Sequence, residues 1–288
     1  MVKLYFALVL ILAAGCKQHN GYKTTGKEQL SSNAPMRIFS KSVNDSFSIY
    51  VSVPEDYHIA DTSYPVVYIL DANLYFYICS VIMKKYAEVG LITPAIVVGI
   101  GYKDFSAMDS LRNRDYTYPL AIPEYGMTTS GKADKFLSFL TSELIPFVEI
   151  SYPADKHNRI LMGHSLGGYF TLYALQQSLL KSSGLFNGYI AASPSTHYNN
   201  YYLLHELRKM QRQNMHNVKS YISSGGLEDG AANDTAMLST AKVFSSLDTS
   251  LRINAGIQYK AEVYSNLDHM DTPLTTFVKG LQWILNKE

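Results

Sequence analysis

Cysteine is nearly absent. Cys16 and Cys79 are the two in 288 residues, too few for a disulfide framework, so folding has to rest on burial of apolar side chains. Charge is also sparse. Charged residues make up 17% of the chain and the formal net charge is +1, which gives neither the basic footprint of a nucleic-acid binder nor the charge excess of a disordered chain. No internal repeat is visible. The apolar run at residues 4–14 is too short to span a bilayer as a stable helix. What remains is a chain that is 47% apolar and of a length suited to one large α/β domain. Its 23 tyrosines are read first as ordinary core and surface packing residues.

The N-terminus differs from the rest. Met1-Val2-Lys3 is a short basic start, the run at 4–14 is apolar, and Leu12-Ala13-Ala14-Gly15-Cys16 ends in small residues before a cysteine. Basic start, apolar centre and small residues at the cut describe a secretory leader. The cysteine after Ala-Ala-Gly resembles the lipobox of bacterial lipoproteins, with Ala13 where leucine is commoner. That resemblance implies cleavage before Cys16, lipidation of its thiol, and a place in the cell envelope, at the outer membrane, held there by the lipid alone. Residues 1–15 are thus expected to be a signal peptide and residues 16–35, polar and aperiodic, a flexible tether. With Cys16 lipidated, Cys79 is left as a buried thiol.

From residue 36 onward, strand and helix patterns alternate. Strands are expected at 37–40 and 46–53, joined by a turn at Asn44-Asp45, then at 66–70, 95–100, 160–162, 188–192, 218–224 and 257–264. Helices are expected at 74–89, 132–148, directly after Ser165, and at 201–213, 231–251 and 273–285. Residues 105–130 carry polar residues and two prolines and read as a long irregular connection. Strands alternating with helices imply a mainly parallel central sheet covered by helices on both faces, with an antiparallel N-terminal edge from the first hairpin. Ligand sites in such sheets lie beyond the carboxyl ends of the strands.

The chemistry centres on Gly163-His164-Ser165-Leu166-Gly167, which follows the apolar residues Ile160-Leu161-Met162 and opens a helix. This fits the G-x-S-x-G nucleophile elbow, in which a serine sits on a sharp strand-to-helix turn and flanking glycines let the two backbones pass closely. The helix that starts there aims its N–H groups and dipole at the reacting centre, and Leu166 N–H would face an oxyanion formed by attack of Ser165 on a carbonyl.

Such a serine needs a base, and the base needs an orienting carboxylate. His269 sits in a polar loop between the last strand and the last helix, in the required chain order. His58, His157 and His216 fall in polar turn-like stretches and His205 in a helix. His164 occupies the variable elbow position, where its side chain is expected to point away from the nucleophile. His197 is the rival, because it follows the strand-end Ser193-Pro194-Ser195. The acid is Glu228 or Asp229, adjacent after the Gly225-Gly226 turn, with Glu228 preferred. Asp268 neighbours His269 in sequence and lacks the geometry to reach its Nδ1. A second oxyanion donor is expected from the loop after the strand ending at Leu70, near Ala72 or Asn73.

Several stretches together resemble the esterase family of α/β-hydrolases that includes feruloyl esterases, siderophore trilactone esterases, S-formylglutathione hydrolases and mycolyltransferases. They are residues 64–71 (YPVVYILD), 98–102 (VGIGY), 112–117 (RNRDYT), the elbow, Ala192-Ser193-Pro194-Ser195 and Gly225-Gly226-Leu227-Glu228. The likeness runs from about residue 39 to the C-terminus, within an esterase domain at 36–288. It implies an α/β-hydrolase fold, a Ser165–His269–Glu228 triad, an oxyanion donor at Asn73, no metal, no cofactor, and a small-molecule ester as substrate, with no nucleic-acid partner. Arg112-x-Arg114-Asp115-Tyr116-Thr117 with Ser-Pro-Ser is most like the siderophore-esterase branch, so Arg112, Arg114 and His197 are candidate substrate contacts; structural pairing of an arginine with Asp115 is the competing reading. Ala72 replaces the family's usual glycine, and Thr196-His197-Tyr198 replaces a tryptophan after Ser-Pro-Ser. Siderophore lactones and feruloyl or acetyl-sugar esters both fit this pattern. A binding protein on the same scaffold, or an acyltransferase, is the alternative.

Overall fold

Residues 34–55, 57, 63–210, 214–231 and 238–286 are described by a computed structural model of the protein. The leader, Cys16 and most of the tether lie outside the described residues. In chain order the elements begin with β1 (Met36–Ser40), β2 (Asp45–Ser52), β3 (Tyr64–Ile69), α1 (Ala72–Glu88), β4 (Ile96–Gly101) and α2 (Phe105–Tyr116). There follow α3 (Ala133–Phe139), α4 (Ile145–Ser151), β5 (Ala154–His164), α5 (Leu166–Lys181), β6 (Gly188–Ala192) and α6 (Tyr198–Lys209). The chain closes with β7 (Asn214–Gly225), α7 (Glu228–Ala231), α8 (Thr240–Arg252), β8 (Ala255–Tyr264) and α9 (Thr272–Ile284).

The eight strands form one sheet in the order β1-β2-β4-β3-β5-β6-β7-β8. β1–β2 and β2–β4 pair antiparallel, and every other neighbouring pair is parallel. This is the expected α/β-hydrolase arrangement with its antiparallel edge. β3 explains why its sequence is apolar throughout rather than alternating. Val66 and Tyr68 feed the core under α2–α6 and α8, while Val67 and Ile69 feed the opposite core under α1 and α9. The helices therefore cover both faces, and the strand ends are left to carry the site.

Residues 105–130 are not irregular throughout, because α2 occupies 105–116. Its composition hides it. Only Met108, Asp115 and Tyr116 are buried, so no apolar stripe marks the helix. Asp104 caps it by accepting from Ala107 N–H at 2.9 Å, and ion pairs from Arg112 to Asp71 and from Arg114 to Asp45 hold it down. The expected helix at 132–148 is interrupted by a π turn at Leu140–Leu144. Pro146 follows at once, with no N–H to donate and a ring that excludes the carbonyl four residues back, and the wider turn absorbs that mismatch. Glu143 in this turn closes the β1–β2 hairpin, accepting from Lys41 N–H (3.0 Å), Ser42 N–H (2.9 Å) and Ser40 Oγ (3.2 Å). The helix expected at 231–251 is α7 and α8, with residues 232–237 outside the described set. Among the described residues no helix is long and apolar enough to cross a membrane.

Candidate active site

The elbow is built as its glycines require. Ser165 follows β5 with φ 58° and ψ −118°, a backbone conformation that costs energy for a residue with a side chain and is sustained only by its surroundings. Those surroundings are explicit. Ser165 N–H donates to Ala192 O at 3.0 Å, and Ser195 N–H donates to Ser165 O at 3.1 Å, so the turn is clamped to the end of β6. A Cβ at Gly163 would sit 2.5 Å from the carbonyl carbon and oxygen of Gly167, which is why strand and helix can cross here. The Ser165 hydroxyl lies 3.2 Å from that of Ser195. No hydrogen bond joins it to His269, a separation common before substrate is bound.

His269 and Glu228 do meet. Nδ1 of His269 donates to Glu228 Oε2 at 2.9 Å. The other carboxylate oxygen of Glu228 accepts from Ser193 Oγ (2.6 Å), Ser224 Oγ (3.1 Å) and Gly225 N–H (2.5 Å). Burial would raise this carboxyl's pKa, but the bonds from His269, Ser193 and Gly225 outweigh it and hold the group down to about 2. It is a permanent anion near neutral pH. Asp229, its sequence neighbour, turns the other way and caps α8, accepting from Thr240 N–H (2.8 Å) and Thr240 Oγ1 (2.7 Å). Asp268 serves the start of α9, accepting from Met270 N–H (2.8 Å) and Asp271 N–H (3.0 Å). The Glu228 turn and the His269 loop are bonded directly, through Gly226 N–H to Tyr264 O (2.8 Å) and Leu227 N–H to Leu267 O (3.1 Å).

Leu166 is the first residue of α5 and Asn73 the second of α1, so both N–H groups belong to first turns that have no intrahelical acceptor. The two helix starts are neighbours, since a Cβ on Gly167 would lie 3.2 Å from Asp71 Oδ2. The Asn73 side chain is occupied on β4, accepting from Tyr102 N–H (2.8 Å) and donating to Tyr102 O (3.1 Å), which fixes the backbone of that turn.

The two arginines are both paired. Arg112 donates to both oxygens of buried Asp71, from Nε (3.1 Å) and Nη2 (2.9 Å), and Nη2 also reaches His164 O at 3.2 Å. Arg112 thus braces the turn that opens α1 against the elbow strand. Burial alone would lower the guanidinium's pKa, but Asp71 keeps it above its usual range. Arg114 donates to both oxygens of Asp115 (2.8 and 3.0 Å) and to Asp45 (2.9 Å). Pairing with Asp115 therefore falls to Arg114, the competing reading of that motif. His197 is exposed and lines a cleft of about 280 Å³ together with Ser195, Thr196, Tyr201, Phe244 and His269. Next to it, Asn199, Asn200 and Tyr201 take three successive left-handed conformations, and Asn199 clamps Leu120 O and Ile122 N–H.

His164 was set aside in sequence and proves to be the best-connected residue of the elbow. It is buried, with Nδ1 at 3.0 Å from Tyr75 Oη and Nε2 at 2.8 Å from His269 O, and its ring lies 4.6 Å from that of His269. Burial first, then His269, push its pKa down to about 4, so it is neutral over the working range. Ser193 was also missed as a partner of the acid. Its position at a strand end was readable; its contact was not. Among the described residues no group of three histidine, cysteine or acidic side chains is placed to hold a metal ion.

Known proteins carry the same architecture. The family model described as "Putative esterase" matches residues 40–273. The ferri-bacillibactin esterase BesA of Bacillus subtilis is 33% identical over 202 residues, covering 66% of this chain and 68% of that protein. The siderophore enterobactin esterase of Emericella nidulans is 36% identical over 155 residues, half of each chain. Among solved structures, the BES protein from Bacillus cereus superposes with a TM-score of 0.70 at 26% identity, covering 92% of this chain and 99% of that one. Elbow, sheet order and a family match over most of the chain converge, and the protein belongs to this esterase family of α/β-hydrolases, the carboxylic ester hydrolases.

Proposed function

We propose that the protein is a serine esterase that opens the ester or lactone bonds of siderophores. Ser165 is the nucleophile, His269 the general base and then acid, and Glu228 the carboxylate that orients it. Ser165 Oγ attacks the ester carbonyl as His269 Nε2 takes its proton. Leu166 and Asn73 N–H groups receive the oxyanion. The imidazolium then protonates the departing alcohol, and water repeats the sequence on the acyl-enzyme. The observation that carries this reading is the 2.9 Å bond from His269 Nδ1 to a Glu228 held as an anion, beside a serine in strained elbow geometry.

The substrate class rests on the relatives, whose names are siderophore esterases, and on the cleft beside His269. At about 280 Å³, with Tyr201 and Phe244 against Ser195 and His197, it suits one aryl arm of a larger lactone, the rest lying outside. The test is hydrolysis of ferric and iron-free catecholate trilactones, a feruloyl sugar ester and p-nitrophenyl butyrate by the native protein and Ser165→Ala. Native turnover is expected to favour the trilactones, and Ser165→Ala to lose at least ~1,000-fold in kcat. A preference for the feruloyl ester would move the substrate class and leave the mechanism. A folded native protein that a fluorophosphonate fails to label would overturn the serine mechanism itself.

The same reading places the enzyme on the cell envelope through lipid at Cys16, on the strength of residues 12–16. Cys16→Ser is expected to release the protein from the membrane fraction and to abolish incorporation of labelled palmitate. Retention of both would remove the anchor from the proposal.

A further inference from the structure

We propose that His164 is a positioning residue, a neutral strut joining the base loop to the helix that supplies the second oxyanion donor. The inference rests on the triad reading above and goes beyond it.

The atoms define the strut's polarity. A carbonyl oxygen can only accept, so the 2.8 Å contact with His269 O requires a proton on His164 Nε2. A neutral imidazole then presents a bare Nδ1, which accepts from the Tyr75 hydroxyl at 3.0 Å. The chain therefore runs Tyr75 O–H to His164 Nδ1, and His164 Nε2–H to the His269 carbonyl. The low pKa of the buried ring agrees with its neutral form. Tyr75 lies two residues beyond Asn73 on α1, and its own ring is seated edge-on against Phe277 of α9 at 5.4 Å.

Three reacting elements thus meet at one imidazole. His164 is covalently next to Ser165, it holds the main chain of His269, and it is held by the helix that carries Asn73. Its own carbonyl accepts from Arg112, whose guanidinium grips Asp71 at the start of the same helix. The His269 ring is fixed at Nδ1 by Glu228, but a side-chain bond alone leaves the loop's main chain free to shift. The strut removes that freedom. Misplacement of a general base by about 1 Å costs on the order of 100-fold in rate.

His164→Phe keeps an aromatic ring and loses both hydrogen bonds. His164→Gln keeps an N–H near the place of Nε2. Tyr75→Phe removes one hydroxyl and keeps the packing on Phe277. On p-nitrophenyl butyrate, His164→Phe is expected to lose about 100-fold in kcat with KM within about twofold. His164→Gln is expected to recover most of that loss, and Tyr75→Phe to lose about tenfold. Fluorophosphonate labelling should slow in proportion to kcat, since both need the base. Full kcat in His164→Phe, or no recovery in His164→Gln with kcat and melting temperature falling together, overturns the strut. If His164→Phe does not fold, Tyr75→Phe decides: unchanged kcat overturns the proposal. Ser165→Ala run alongside separates the two readings, because its activity falls if the triad is right whether or not the strut is.

Discussion

Glu228→Gln is expected to reduce kcat by about 10⁴-fold while leaving the protein folded. The reason lies in how the two carboxylate oxygens are used. Oε1 accepts three donors, from Ser193, Ser224 and Gly225, and cannot be replaced by an NH₂ group without setting donor against donor. The amide oxygen must therefore take that place, and the NH₂ must face His269. A donor there cannot receive a proton from Nδ1, so the imidazole is driven to carry its proton on Nε2, where it has no lone pair left to accept the serine proton. The substitution is nearly isosteric, so KM should change little. Steady-state kinetics on p-nitrophenyl butyrate settle it. A kcat within tenfold of native would mean that His269 works without its carboxylate, as a dyad with Ser165.

Gly163→Ala is expected to be among the most damaging single-methyl changes in the described structure. Its Cβ would meet main-chain atoms of Gly167 at 2.5 Å, and no rotamer relieves a clash with backbone. Either β5 or α5 must move, and both are packed in the centre of the molecule. Overpacking of this kind costs about 3 kcal/mol or more, against a total stability on the order of 5–15 kcal/mol. The melting temperature should fall by roughly 10 °C, or the protein should fail to accumulate in soluble form. Activity should vanish in either case, because the movement opens the turn that presents Ser165. A variant melting within 2 °C of native would show that the turn can widen freely and that close passage does not shape the nucleophile's setting.

Much of this was legible in the chain, for reasons that differ by element. The elbow is a local event, fixed by glycines two positions either side of Ser165, so sequence carries it whole. The choice of Glu228 over Asp229 needed the resemblance as well as the strand-end position, because adjacent side chains diverge and only the fold says which one faces the loop. Helix α2 was not legible. Its anchors are Asp71 and Asp45 rather than an apolar stripe, and ion pairs between distant residues leave no periodic signal. The same holds for Arg112. A motif points to the residue, while its partner Asp71 lies 41 positions away. His164 shows the limit most clearly. It stood in plain view inside the elbow, yet its two partners lie 89 and 105 positions from it, and nothing in the local pattern names them.

The hairpin at the N-terminal edge carries a consequence for the order in which the molecule is assembled. β1 and β2 are contiguous in sequence and can pair as soon as both are made. Their turn, however, is completed by Glu143, about a hundred residues downstream, and β2 has no inner neighbour until β4 is made. On a ribosome that supplies the chain from its N-terminus, these earliest strands thus wait for their partners, with an open ladder and unfilled donors in the meantime. Of the later strands, β5 pairs with β3, and β6, β7 and β8 each pair with the one just before, by local crossovers. The C-terminal half of the sheet can close by short-range steps, whereas the leading edge is sealed by contacts of longer sequence separation. During synthesis that open edge is a surface for a holding chaperone to cover.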